Sequence, residues 1–182
     1  MADDPAQCQR GGMRVRDFAP ADADRVNAVA LAAFAQYRGV YSDWETLTRG
    51  VGAMSALAAT GEILVAEDKA GRIVGAVAYV GPYGAPRADF FAPEWPIVRM
   101  LVVDPAARGQ GAGRSLTQAC IDKARRDGAA AIALHTSPAM AVALTLYLRM
   151  GFRLHRNVPD RFGVPYAVYL KPLRQARRSA RS

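Results

Sequence analysis

"DPAARGQGAG" (Asp104–Gly113) lies between an apolar run, "IVRMLVV" (Ile97–Val103), and a helix-like stretch, "RSLTQACIDKARRDG" (Arg114–Gly128). Gly109, Gly111 and Gly113 alternate beside Arg108 and Arg114. Two common phosphate loops do not fit. A Walker loop needs glycine where Arg108 stands and lysine where Arg114 stands. A dinucleotide fingerprint needs a third glycine at Arg114. The spacing present is Arg108-x-x-Gly111-x-Gly113. Glycines let backbone N–H groups approach a ligand, and a helix start offers unpaired N–H groups at a positive dipole end. The turn therefore reads as a phosphate cradle. The plain alternative is a tight strand-to-helix turn that merely needs glycine.

Outward from the turn, the pattern alternates strand and helix. "RVRDF" (Arg14–Phe18) reads as a first strand, and Pro20 opens a helix with Val26, Val29, Ala30, Ala33, Phe34 and Tyr37 on its apolar face. A second helix starts at "SDWE", with Ser42 as cap and Glu45 closing a capping box; Trp44, Leu47, Val51, Met54 and Ala58 form its inner stripe up to Gly61. "EILVAE" and "RIVGAVAYV" are strands joined by the hairpin signal "DKAG". The Gly-, Pro- and aromatic-rich stretch Gly81–Pro96 reads as a functional loop. Ile97–Val103 is expected to be a buried central strand. Leu116, Ala119, Cys120 and Ala124 share a face of the next helix, which Gly128 stops. "AAIALHT" is a strand. Pro138 starts a further helix behind the capping candidates Thr136 and Ser137, and its all-round apolar sequence predicts burial. "FRLHR" and "YAVYLKP" close the chain as strands, with "NVPDRFGVP" as a loop between them.

At 182 residues, half of them apolar, the chain fits one domain. The expected division is a flexible tail at 1–12, the domain at 13–173 and a basic tail at 174–182. No apolar run suits a membrane span, and "MADDPAQCQRGG" lacks the apolar segment of a signal peptide, so a cytoplasmic location is expected. Cys8 and Cys120 do not read as a disulfide framework. The net charge of +8 suits an anionic partner. Nucleic acid is not the expected one, because no nucleic-acid motif accompanies the arginines.

"MLVVDPAARGQGAGRSL" followed by "ALTLYLRMGFR" resembles the GNAT-type N-acetyltransferase superfamily, whose cofactor motif is Q/R-x-x-G-x-G/A after V-D-P and whose later helix ends L-Y-x-x-x-G-F. The likeness runs from Arg14 to Leu173. It implies a single α+β domain, a central mixed, mostly antiparallel twisted sheet flanked by helices. It also implies acetyl-CoA as co-substrate in a cleft at the central strand. Backbone groups at Leu101 and Val103 would meet the pantetheine arm, with the N–H near Leu101 as oxyanion donor. Arg108, Gly109, Gln110, Gly111, Ala112, Gly113, Arg114 and Ser115 would surround the diphosphate. Tyr147 would protonate the departing thiolate. Ile97 stands where family members often carry a glutamate, and Met140 where many carry an asparagine.

The general base is therefore open. Glu94 is the first candidate, Asp89 and Asp160 are weaker ones, and a water chain is the alternative. Phe90, Phe91, Trp95, Phe162 and Tyr166 are expected to line the acceptor site. His135 and His155 lack neighbours at metal-ligand spacing and read as structural or surface histidines, so no metal is expected. Cys120 reads as an inert core thiol. The leading function is acetyl transfer to a primary amine of a small molecule or protein, by direct attack in a ternary complex. The alternative is a non-catalytic acyl-CoA-binding or sensing domain. The expected partners are acetyl-CoA and an amine acceptor, without a membrane; a homodimer is left open.

Overall fold

The computed structural model describes residues 13–173. Cys8 and both expected tails lie outside them. The strands are β1 (Arg14–Asp17), β2 (Glu62–Glu67), β3 (Ile73–Val80), β4 (Ile97–Val103), β5 (Ala131–Thr136), β6 (Arg153–Arg161) and β7 (Val164–Pro172). They form one seven-stranded sheet in the order β1-β2-β3-β4-β5-β7-β6. Only the β4–β5 pair is parallel. The helices are α1 (Ala23–Phe34), α2 (Trp44–Val51), α3 (Ala112–Arg126) and α4 (Ala141–Arg149).

Helices cover both faces, which is why β3 is buried along its whole length and β2 from Ile63 onward. Side chains alternate across a strand. Ile63, Val65, Ala76, Ala78 and Val102 pack under Val26, Val29 and Ala30 of α1 and Leu47 and Val51 of α2. Leu64, Ala66, Val74, Val98, Ile132 and Leu134 face Leu116, Cys120 and Ala124 of α3.

Five local expectations are corrected. The α2 cap is Asp43, whose side chain accepts from the Thr46 N–H; Ser42 lies outside the helix. The helix stops at Val51, between Gly50 and Gly52, and a 3-10 turn at Met54–Ala59 leaves Ala58 exposed. Glycines so spaced cost helix propensity, and the turn takes over. α4 begins at Ala141, because Ser137 and Pro138 are used in a turn: Ser137 Oγ accepts from the Ala139 N–H and Ser137 O from the Met140 N–H. α4 is also a rim helix. Only Tyr147 is buried, and Val142 is 74% exposed, so an apolar sequence did not mean a buried helix.

The last correction concerns the closing hairpin. "NVPDR" belongs to β6, and the loop shrinks to Phe162 and Gly163, at φ 48 and 75. Two successive positive φ values are the signature of a type I′ turn. Pro159 is tolerated because β6 is the sheet edge and its register shifts between Val158 and Arg161. The hairpin docks on the α1–α2 connection through Ser42 N–H to Phe162 O (2.9 Å) and the Tyr41 and Tyr166 hydroxyls (2.6 Å apart).

Candidate active site

β4 and β5 part company. Their only register partners are Ile97 and Ala133, tied by the Ala133 N–H to Pro96 O. Beyond Ile97 the strands fork. Two β3 steps, Ala76 to Ala78, face three β4 steps, Val102 to Arg99, so β4 carries a bulge, and Met100 sits there at φ 54. Bulges bend a strand and re-aim its side chains. Arg99, Met100, Leu101 and Val103 are thus only half-buried, where the sequence predicts a fully buried strand. Asp104 N–H bonds Val74 O on the β3 side. By alternation, the N–H and C=O groups of Leu101 and Val103 face the forked edge, where β5 is absent.

The glycine turn opens from the end of β4. Asp104 caps a 3-10 turn at Pro105–Ala107 and pairs with Arg25 at 2.7 Å, which ties the turn to α1. The Ala106 N–H and then Arg25 hold the Asp104 carboxyl below its usual range. Gly109 and Gly111 have φ 77 and 92, and a Cβ on either would meet nothing within 4 Å. Both glycines serve the backbone conformation and leave open space above it. Gly111 is the N-cap of α3, and no side chain caps the helix. The first intrahelical bond is Ser115 N–H to Gly111 O. The N–H groups of Ala112, Gly113 and Arg114 therefore face outward without helical partners. Arg108 reaches Ala33 O at 3.3 Å, at the end of α1, and Arg114 is exposed. These groups fit a diphosphate.

Gly113 serves contact instead. Its Cβ would stand 3.3 Å from Leu146 of α4 and 3.6 Å from Val103. Close approach there sets the next residue, Tyr147, beside the fork. The Tyr147 ring is buried edge-on to Phe152. Among the described residues its hydroxyl has no hydrogen-bond partner, yet no enclosed side-chain N or O atom lacks one, so the hydroxyl opens to solvent space. Burial, and then the neighbouring Cys120 and Tyr37, raise its pKa, so it stays protonated at neutral pH. Burial also pushes the Cys120 thiol up to about 12, which removes it as a nucleophile.

Across the fork, on the α1–α2 side, lies a cavity of about 410 Å³. Phe90, Phe91, His135 and Tyr166 form its aromatic wall, and Arg99 and Arg161 also line it. Its outer wall is the loop Gly81–Pro96. Arg87 frames that loop by donating to the carbonyls of Gly81, Gly84, Ala92 and Trp95 at 2.7–3.0 Å.

The Acetyltransferase (GNAT) family model matches residues 27–152, more than half of the chain. The chain belongs to the GNAT family. Similar solved structures cover nearly the whole domain. yncA of Salmonella typhimurium, solved with acetyl-CoA, is 22% identical over 91% of this chain and 96% of its own, with a TM-score of 0.67. A GCN5-related N-acetyltransferase of Kribbella flavida is 24% identical, covering 89% and 98%, at 0.62. A Corynebacterium glutamicum protein described as histone acetyltransferase HPA2 and related acetyltransferase is 25% identical, covering 90% and 97%, at 0.67. Curated protein sequences give no significant match.

On this GNAT scaffold the expected site residues divide. The turn Arg108–Ser115, the edge at Leu101 and Val103, and Tyr147 gather around one fork. Glu94 does not join them: it is exposed and lines no part of the cavity, as are Asp89 and Asp160. Phe90, Phe91 and Tyr166 line the cavity, whereas Trp95 stacks edge-on against His155 and Phe162 packs below α1 and α2. His155 is exposed, in keeping with a surface histidine. His135 is the residue that spacing missed. It lies on β5 between Phe90, Phe91 and Tyr166, with ring centroids at 5.2–5.8 Å. Its sequence neighbours give no signal, because every one of its partners comes from a distant segment. Among the described residues no cluster suits a metal, and no helix is long and apolar enough to cross a membrane.

Burial, then Arg161 and Arg99, lower the His135 pKa from 6.5 to about 4. The unfolded chain takes a proton that the folded chain refuses. Stability from this site is full above 6.5, falls between 6.5 and about 4, and is flat below. NMR titration of the imidazole should therefore show His135 neutral at pH 5, while His135→Asn should flatten this part of the stability–pH curve.

Proposed function

We propose that the protein is an acetyl-CoA-dependent N-acetyltransferase that passes the acetyl group directly to a primary amine. The observation that carries this reading is the fork itself. It joins an anion-binding helix start on one side to an aromatic cavity on the other, so two ligands can meet between β4 and β5. The unpaired amides of Ala112, Gly113 and Arg114, the open space above Gly109 and Gly111, and the free edge at Leu101 and Val103 fit CoA. When bound, acetyl-CoA supplies the acetyl group as a thioester.

The chain's own residues do the rest. The turn Arg108–Ser115 holds the diphosphate. The Leu101 N–H, on the open edge, donates to the carbonyl oxygen as charge develops there. Tyr147 keeps its proton until sulfur departs and donates it then. The cavity orients the amine and excludes water. An ammonium taken from water into the cavity loses its proton more readily, through the burial that acts first on His135. As the nitrogen bonds to carbon it becomes acidic, and neutral His135 or water takes the second proton. Cys120 is too basic and too buried to carry an acyl group, which supports direct transfer.

The test is thiol release from acetyl-CoA with a mixed panel of amines, confirmed by mass spectrometry of the N-acetyl product. Thiol release with no amine in the panel would refute transfer to nitrogen. The loop supplies a second expectation. Phe90→Ala removes one cavity wall and should raise the acceptor KM about tenfold, the scale of a few buried methylenes. Acetyl-CoA binding, read by calorimetry, should stay unchanged.

A further inference from the structure

Several arginines have a carboxylate: Arg14 and Arg16 reach Glu67, Arg25 reaches Asp104, Arg49 and Arg125 reach carboxylates on their own helices, and Arg72 reaches Asp68 within the β2–β3 turn. Among the described residues, two of the three arginines that line the cavity, Arg99 and Arg161, have no such partner. Among the described residues Arg99 makes neither ion pair nor side-chain hydrogen bond, and Arg161 makes only a cation–π contact with Phe162 at 5.7 Å. Arg87 also lines the cavity, but its guanidinium is taken up by loop carbonyls. The cavity lining contains no carboxylate.

Burial, and then Arg161, lower the pKa of Arg99. Arg99 is half-buried and Arg161 is exposed, and two like charges that line one aromatic cavity without a carboxylate suit an anion. The remaining lining is apolar: Val80, Ile97, Val158 and Pro159 beside Phe90 and Phe91. A polyamine, or a lysine within a basic peptide, would bring further cations beside Arg99 and Arg161 with no acidic group to receive them.

We propose that the acceptor is a small amine carrying its own anionic group on an apolar or aromatic body, with Arg99 and Arg161 binding the anion. An α-amino acid with an apolar side chain is the type. The inference rests on the N-acetyltransferase reading and specifies the substrate of that same cavity. Charge complementarity then orients the acceptor: the anion sits between the arginines, the body lies against the aromatic wall, and the amine faces the fork. The volume of about 410 Å³ suits such a molecule and not a folded protein.

The experiment compares matched pairs with the full chain and acetyl-CoA. L-Phenylalanine, L-leucine and L-methionine are set against the amines that differ from each only by loss of the carboxylate, and against spermidine. 1-Amino-2-phenylethylphosphonate separates a carboxylate requirement from a general anion requirement: activity with it as well extends the site to phosphorus anions, and its rejection confines the site to carboxylates. The anionic member of a pair should lead by about tenfold to a hundredfold in kcat/KM, the scale of one charge-assisted hydrogen bond. Arg99→Gln and Arg161→Gln should each erase most of that lead through the acceptor KM. Neither should change the thermal shift given by acetyl-CoA, which also reports that the variant is folded. The N-acetyl amino acids, added with CoA, give a binding readout that needs no turnover, and they should stabilise the native chain but not the two variants.

Acetylation led by spermidine or by the decarboxylated amines would overturn the anion assignment and leave the N-acetyltransferase reading standing. So would an anion preference that survives both substitutions, or the absence of any binding by the N-acetyl amino acids. Binding of those products without any thiol release would uphold the anion site and refute the transfer reading instead. Loss of the acetyl-CoA shift in a folded Arg99→Gln chain would move that arginine to the CoA site and overturn its role here.

Discussion

Tyr147→Phe should lower kcat by about a hundredfold to ten-thousandfold, the usual cost of losing a general acid. The ring is buried against Phe152 and the hydroxyl has no hydrogen-bond partner among the described residues, so removing one oxygen leaves packing intact. Affinity for acetyl-CoA should barely change, because the proton is needed only as charge grows on sulfur. Single-turnover kinetics check this and separate chemistry from product release. A more acidic thiol in the acyl donor should shrink the defect, since that leaving group needs less help. A Phe variant with native single-turnover rate would return Tyr147 to a packing role. So would a defect that does not respond to the leaving group.

Gly111→Val should abolish the stabilisation that acetyl-CoA gives. At a hundred times its Kd, a ligand that binds only the folded state adds about 2.7 kcal/mol. Gly111 sits at φ 92, which a β-branched residue resists at a cost of roughly 1–2 kcal/mol or more. The space above it is open, so no clash drives the loss. The expected cause is a turn that no longer aims the N–H groups of Ala112, Gly113 and Arg114 at one point. Differential scanning calorimetry with and without acetyl-CoA reads both parts. A folded Gly111→Val chain with the native shift would remove the turn from the CoA site. Gly111→Ala, strained at this φ but without the added β-branched penalty, should retain a partial shift and so links the loss to backbone conformation.

The glycine turn was legible because its signal is local. A strand end, alternating glycines and a helix start lie within one stretch, and backbone geometry there is set by residues next to one another. The same holds for the β2–β3 hairpin, whose turn at Asp68 and Gly71 uses the residues the sequence displays. Tyr147 was legible for another reason, as a motif position rather than a physical necessity.

Periodicity misled where context reverses its meaning. The apolar run of α4 stays at the rim because one side of the helix packs inward, Leu146 on Gly113 and Tyr147 on Phe152, while Val142 is left exposed. Pro159 looked like a loop residue, but an edge strand needs only one side of its backbone paired.

The sequence by itself determined the order of elements, the β2–β3 hairpin, and the glycine turn between β4 and α3. All of these follow from spacing along the chain. Only the tertiary structure decided who faces whom at the fork. Arg99 on β4, His135 on β5, Arg161 and Tyr166 on the closing hairpin, and Phe90 and Phe91 on the loop meet in one cavity although four separate segments carry them. A lone histidine and scattered arginines carry no local pattern. Their chemistry arises when burial and mutual repulsion act on them together, and both depend on distances that only the folded sheet sets.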